Sequence, residues 1–237
     1  MPSTSFDFAA GTKPATPQAV LWDMDGTLID TEPYWLAAEA ELVVSHGGTW
    51  SHEQGLALVG NALPDGARAL QLAGVQLEIR EIIDWLSARV VAGIRREIPW
   101  RPGARELLAA CKQAGIPQAL VTMSERSIVD ELMLAIPEGT FQASVTGEEV
   151  AQGKSHPEPY LRGLRLLGEA TGQQLSASQC IGFEDSVPGI ASASAAGLHA
   201  VLVPNATDPG EGKWRRIDSL ASVDVAAMSR WLVQVSA

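Results

Sequence analysis

Cysteine is scarce in this chain, and so are basic residues and long apolar runs. Only Cys111 and Cys180 occur among its 237 residues. Neither has a histidine or a second cysteine at ligand spacing, which excludes a disulfide framework and a thiolate zinc centre. Both are read as buried, reduced thiols. No apolar run approaches the ~18 residues that a membrane helix needs. Residues 1–17 carry neither a basic n-region nor an apolar h-region, so a soluble, cytoplasmic protein with no membrane partner is expected. Lysine and arginine number 17 against 28 acidic residues, a formal charge of −11. No basic cluster is longer than Arg95-Arg96 or Arg215-Arg216, and a surface of this kind repels nucleic acid as well as anionic lipid.

What the chain does have is 46% hydrophobic residues, enough at this length for one substantial core plus an insertion. Apolar runs at 19–22, 118–121, 143–145, 180–183 and 200–203 alternate with helix-length segments. That alternation predicts an α/β fold, a Rossmann-like parallel sheet core with helices on both faces. Between residues 32 and 98 the strand-like runs stop and helical patterns follow one another. An inserted all-helical cap domain is therefore expected over 32–98, with the α/β core at 18–31 and 99–237. Residues 1–17, rich in Ser, Thr, Pro and Ala, are expected as a flexible leader. The first inserted helix opens at Thr31-Glu32-Pro33, with proline in its first turn, and closes at Gly47-Gly48. Further helices are expected over 64–73 and 78–97. The chain returns through Pro99-Trp100-Arg101-Pro102-Gly103.

The run at 19–22 ends in Asp23-Met24-Asp25-Gly26-Thr27-Leu28-Ile29-Asp30-Thr31-Glu32. Two carboxylates two residues apart on a strand face one side, and where the chain begins to turn both can reach one bound group. Alone, Asp-x-Asp-Gly-Thr is also an ordinary turn. Downstream, Thr122 follows the run 119–121, Lys154 sits in Gly153-Lys154-Ser155-His156-Pro157-Glu158, and Glu184-Asp185-Ser186 follows Cys180-Ile181-Gly182-Phe183. Such positions, at the carboxyl ends of parallel strands, are where this class of sheet binds ligands. The order and context of these residues, over roughly 19–204, resemble those of the haloacid dehalogenase-like hydrolases.

The resemblance implies a chemistry for each residue. Asp23 is the nucleophile that would form an aspartyl-phosphate, and Asp25 is the general acid/base for an alkoxide leaving group, a role that contributes ~10²–10⁴-fold in rate. Thr122 would bond a phosphoryl oxygen, and Lys154 would neutralise the nucleophile and the transferring group. A carboxylate repels the phosphate it attacks. The net acidic surface repels it too, so the site must supply local positive charge through Lys154 and a divalent cation. Oxygen ligands suit Mg²⁺, held by Asp23, Asp185 and the backbone carbonyl of Asp25. Glu184 is either a further ligand, acting through water, or the group that orients Lys154. Ser124 is a candidate phosphate contact or else a helix cap before Glu125. His156 is read as a capping residue more readily than a substrate contact.

Within the family, an insertion at this position is a mobile cap that excludes water and selects the substrate. β-Phosphoglucomutases of this subgroup use a cap histidine and a cap arginine where this chain has Trp35 and Leu63. The segment around Trp35 looks more like that of sugar- and hexitol-phosphate phosphatases. Trp35 is thus a candidate substrate contact or a core aromatic of the first inserted helix, and Asn61 is a second candidate contact. The expected function is a monomeric phosphatase of a small phosphorylated sugar or polyol. A phosphosugar mutase is the alternative, and a non-catalytic metal-binding regulatory or interaction protein is a further one.

Overall fold

Strand β1 (Ala19–Trp22) is buried along its whole length, and its place in the sheet explains why it carries no polar side chain. It pairs in parallel with β2 (Gln118–Val121) on one side and β4 (Cys180–Glu184) on the other. With β3 (Ala143–Val145), β5 (His199–Leu202) and β6 (Arg215–Arg216), the described residues form a six-stranded sheet in the order β3-β2-β1-β4-β5-β6. Its pairings are all parallel. A strand covered on both faces is apolar throughout, yet its successive residues still divide between the faces. Val20 and Trp22 join one apolar cluster with Phe183 and Val201, while Ala19 and Leu21 join another with Ala119 and Val145. Trp22 and Phe183, partners in register, stack with ring centroids 4.6 Å apart.

The computed structural model describes residues 16–205 and 208–233. The expected leader therefore lies outside the described residues, apart from residues 16 and 17. Helices α1 (Glu32–Ser45), α2 (His52–Leu56), α3 (Leu63–Leu72) and α4 (Ile79–Arg96) follow β1. They enclose a third apolar cluster that includes Leu42, Ala67, Leu70, Ile82 and Leu86. The far half of α4 belongs elsewhere: Val90 and Ile94 pack into the cluster of the sheet. Helix α5 (Ala104–Gln113) leads into β2, α6 (Arg126–Met133) into β3, and α7 (Glu158–Thr171) into β4. Helices α8 (Val187–Ala195) and α9 (Val225–Val233) complete the layers. No helix among the described residues is long and apolar enough to cross a membrane.

The two connections between the helical segment and the sheet run side by side. Asp30 N–H donates to Pro99 O at 2.8 Å, and Arg101 N–H donates to Leu28 O at 2.9 Å. The side chain of Asp30 accepts from Asn205 Nδ2 at 3.0 Å, and Asn205 in turn accepts from Arg101 Nη1 at 2.5 Å. Some details depart from the sequence-based expectation. Strand β4 takes in Glu184, β5 starts one residue early at His199, and β6 is an unanticipated pair of residues whose length gives no periodicity to read. Helix α2 was also unforeseen. Its one legible signal is a capping box, in which Ser51 Oγ accepts from Gln54 N and Ser51 N donates to Gln54 Oε1.

Gln118 is a buried polar residue at the start of β2. Its fully buried amide accepts from Trp22 Nε1 at 3.0 Å and donates to the carbonyls of Leu108 and Thr140. Gln118→Leu would strand the indole N–H in an apolar layer. It should lower stability by about 2–4 kcal/mol in urea titrations, through unsatisfied buried polar groups rather than lost volume.

Candidate active site

Beyond Trp22 the chain turns under Asp185. Gly26 N donates to Ile29 O at 2.7 Å and Leu28 N to Met24 O at 2.9 Å, closing a tight loop. Gly26 adopts φ +84°, and a Cβ there would stand 2.0 Å from Asp185 Oδ2, so only glycine lets the loop lie against that carboxylate. Asp23 is 6% exposed. Its Oδ1 accepts from Lys154 Nζ at 2.7 Å and its Oδ2 from Thr27 Oγ1 at 2.8 Å. Lys154 reaches in from the loop before α7. Its Nζ also donates to Val121 O at 2.8 Å and lies 2.6 Å from Glu184 Oε1, which accepts from the Tyr160 hydroxyl at 2.5 Å. Asp23, Glu184 and Asp185 each present an oxygen within 4.8 Å of the others.

This end of the sheet is electrostatically unbalanced. Three buried carboxylates face one ammonium. Burial works against the Lys154 charge, but Asp23 and Glu184 outweigh it and hold the amine protonated well above the usual lysine range. Burial, reinforced by the charge of Asp23, raises Glu184 to about 7 and pushes Asp185 far up. Burial also lifts Asp23. Glu184 Oε2 is buried with no hydrogen-bond partner among the described residues. An all-oxygen donor set with an orphaned acceptor and surplus negative charge fits a hard divalent cation such as Mg²⁺.

Asp25 is held differently. Its Oδ1 accepts from Thr31 Oγ1 at 2.5 Å, and its Oδ2 accepts from Ser124 Oγ at 2.7 Å and Thr122 Oγ1 at 3.1 Å. Thr122 and Ser124, expected to face a phosphoryl oxygen, are thus brought together on Asp25. Ser124 is not the cap of α6, a position that Glu125 occupies. The sequence places a helix start and a hinge at Thr31, not a contact with Asp25. It sits at the N-cap of α1 but makes no cap bond, its hydroxyl being committed to Asp25. His156 is a capping residue, with Nδ1 accepting from Glu158 N at 3.2 Å.

Above these groups lies a cavity of about 110 Å³, lined by Asp23, Asp25, Thr122, Ser124, Lys154 and Asp185 on the sheet side. Trp35, Asn61, Leu63, Glu32 and Glu39 line it from the helical side. The Asn61 amide donates to Ala57 O at 3.1 Å. Burial raises Glu32 to about 7, helped by Asp25, and raises Glu39 to about 7 as well. Sequence reasoning gave Glu39 and Tyr160 no role in the site. Both occupy helical positions that only the tertiary fold turns inward.

The raised carboxyls have a consequence for stability without metal. A native pKa above the unfolded value means the folded state binds more protons, so the stability these groups contribute is present below about pH 4.5 and is lost as pH rises through about 7. In EDTA, the urea midpoint should fall between pH 5 and 8. Glu184 alone, fully buried and moved from 4.5 to about 7, accounts for a change on the order of 3 kcal/mol. Glu184→Gln should flatten the slope.

Comparison with known proteins agrees with this geometry. Residues 17–197 match the model of the haloacid dehalogenase-like hydrolases. The chain is 32% identical over 225 residues to protein CbbY of Rhodobacter capsulatus, covering 88% of this chain and 96% of the relative. It is 28% identical over 197 residues to hexitol phosphatase B of Escherichia coli (strain K12), covering 78% and 83%. The crystal structure of a CbbY variant from Rhodobacter sphaeroides in complex with xylulose 1,5-bisphosphate is similar at a TM-score of 0.77 and 28% identity, over 87% of this chain and 96% of that one. A family model that spans most of the chain, with a 32% identical relative matched almost end to end, makes this protein a member of the haloacid dehalogenase-like hydrolases.

Proposed function

We propose that this hydrolase is a Mg²⁺-dependent phosphatase that cleaves the monophosphate ester of a small sugar or polyol through an aspartyl-phosphate on Asp23. The observation that carries the reading is the pairing of two differently held carboxylates at one cavity wall. Asp23 is charge-compensated by Lys154 at 2.7 Å, while Asp25 is held by hydroxyls alone. The first arrangement suits a nucleophile and the second a proton carrier. The relative named as a hexitol phosphatase supports a polyol or sugar as the alcohol.

In the first step an Asp23 oxygen bonds to phosphorus, the ester P–O bond breaks, and Asp25 gives its proton to the departing alkoxide. In the second, Asp25 takes a proton from water, whose oxygen attacks phosphorus and returns Asp23 to its free state. Lys154 offsets the charge of Asp23 and of the transferring oxygens throughout. Thr31, Ser124 and Thr122 keep Asp25 in place, and on substrate binding Ser124 or Thr122 would have to turn its single hydroxyl proton from Asp25 to a phosphoryl oxygen. Mg²⁺, held by Asp23, Asp185 and the carbonyl of Asp25 with Glu184 behind them, would screen the carboxylates from the phosphate. Glu184 acts chiefly by orienting Lys154.

In this reading residues 32–98 are a cap closing on the core of 18–31 and 99–237, hinged where Leu28–Asp30 and Pro99–Arg101 pair, and the enzyme works as a cytoplasmic monomer. The mutase alternative is disfavoured by Trp35 and Leu63 on the helical side of the cavity. Neither can hold the second phosphate of a reorienting bisphosphate.

Asp23→Asn should lower phosphate release from p-nitrophenyl phosphate by about 10³-fold or more, since an amide cannot form the acyl phosphate. Retained turnover would refute the mechanism. Asp25→Asn should slow alkyl phosphates by ~10²–10⁴-fold and slow phosphoenzyme formation from the aryl ester far less, because nitrophenolate leaves without a proton. Stopped-flow measurement of the nitrophenol burst separates the steps. Mg²⁺ at pH 8 should raise the melting temperature of the wild type, and should do so much less in Asp185→Asn.

A further inference from the structure

The cavity above Asp23 has two ends of unlike character. At the sheet end Lys154 is spoken for, lying 2.7 Å from Asp23 and 2.6 Å from Glu184. At the helical end the charged groups are Glu32 and Glu39, and no lysine, arginine or histidine lines the cavity there among the described residues. Glu39, in α1, is 6% exposed. Among the described residues its Oε2 accepts one hydrogen bond, from Trp50 Nε1 at 3.2 Å, and a Cβ added at Gly55 of α2 would lie 3.1 Å from the same oxygen.

For the fold alone this is a poor arrangement. One neutral donor stabilises a carboxylate by about 1.5–3 kcal/mol, less than the several kcal/mol needed to bury an unpaired ion. An apolar residue beside Leu70 and Leu86, which line the same cavity, would pack without that penalty. The glutamate instead adds acceptor capacity inside a cavity whose other walls here are largely apolar.

We propose that Glu39 is a specificity-determining residue that accepts hydrogen bonds from the hydroxyl groups of the substrate's alcohol portion and, together with Glu32, excludes a second phosphate from that end of the cavity. The proposal rests on the phosphatase reading above and narrows it to monophosphates of uncharged polyhydroxy compounds. A hydroxyl donating to a carboxylate forms a stronger bond than one donating to a neutral acceptor. A phosphate dianion at the same place would meet two like charges with no cation free to offset them. The chain would therefore differ from the CbbY relative whose structure holds a bisphosphate.

The test is a comparison of kcat/KM at pH 8, above the value of about 7 to which burial brings Glu39. The probes are p-nitrophenyl phosphate, sorbitol 6-phosphate and fructose 1,6-bisphosphate, with Mg²⁺ saturating. The wild type should favour sorbitol 6-phosphate over the bisphosphate by about tenfold or more, and Glu39→Gln should lower kcat/KM for sorbitol 6-phosphate about tenfold further than for the aryl ester. A wild type that takes the bisphosphate as readily as the monophosphate overturns the proposal. So does a Glu39→Gln variant that slows both monoesters alike, which is what a purely structural role would produce. If the variant does not fold, the wild-type ratio decides alone. Absence of any aryl phosphatase activity in the wild type would instead refute the underlying function.

Discussion

The ammonium of Lys154 is the interaction on which the rest of the site depends. It joins three parts of the chain that are distant in sequence: the end of β1 through Asp23, the end of β2 through the Val121 carbonyl, and the end of β4 through Glu184. Without a cation there, the carboxylates of Asp23, Glu184 and Asp185 could not remain ionised together in a desolvated crevice. With it, one positive charge still faces three acids. That surplus of negative charge fits a hard cation.

The sheet makes this cluster possible by being indifferent to it. Apolar side chains fill both faces of β1, β2 and β4, so the strands are positioned by burial and parallel pairing. Their carboxyl ends are then free to carry groups that oppose stability. The polar device inside the sheet, Gln118 with Trp22, is fully satisfied and stiffens the layer from which Asp23 projects. Gly26 extends the same economy to the loop, since its missing side chain is what lets Asp185 approach.

The helical segment contributes a different kind of constraint. It has an apolar cluster of its own, and α4 straddles that cluster and the sheet's. The segment is therefore anchored at one end of α4 and at the paired connections, while α1 to α3 stand over the cavity. Thr31 lies at this junction and binds Asp25 with its hydroxyl. The position of Asp25 is thus tied to the start of α1.

Much of this was legible in the residues themselves. Runs such as 19–22 and 180–183 are continuous and apolar because they lie between two helical layers, and the acidic, hydroxyl and lysine positions stand at their ends because parallel sheets present ligands there. Local patterns such as these are set by neighbours in sequence, so they survive reading in one dimension. Glu39, Tyr160 and the second role of Thr31 do not. Each sits in or at the start of a helix, and its meaning comes from a partner on another element: Trp50 from the loop after α1, Glu184 from β4, Asp25 from the loop after β1. The sequence alone determined the α/β class and the order of the motifs along the sheet. Tertiary structure decided which hydroxyls hold Asp25, how one lysine is shared between two acids, and that the far wall of the cavity is acidic, because desolvation and hydrogen-bond geometry exist only once distant segments are packed together.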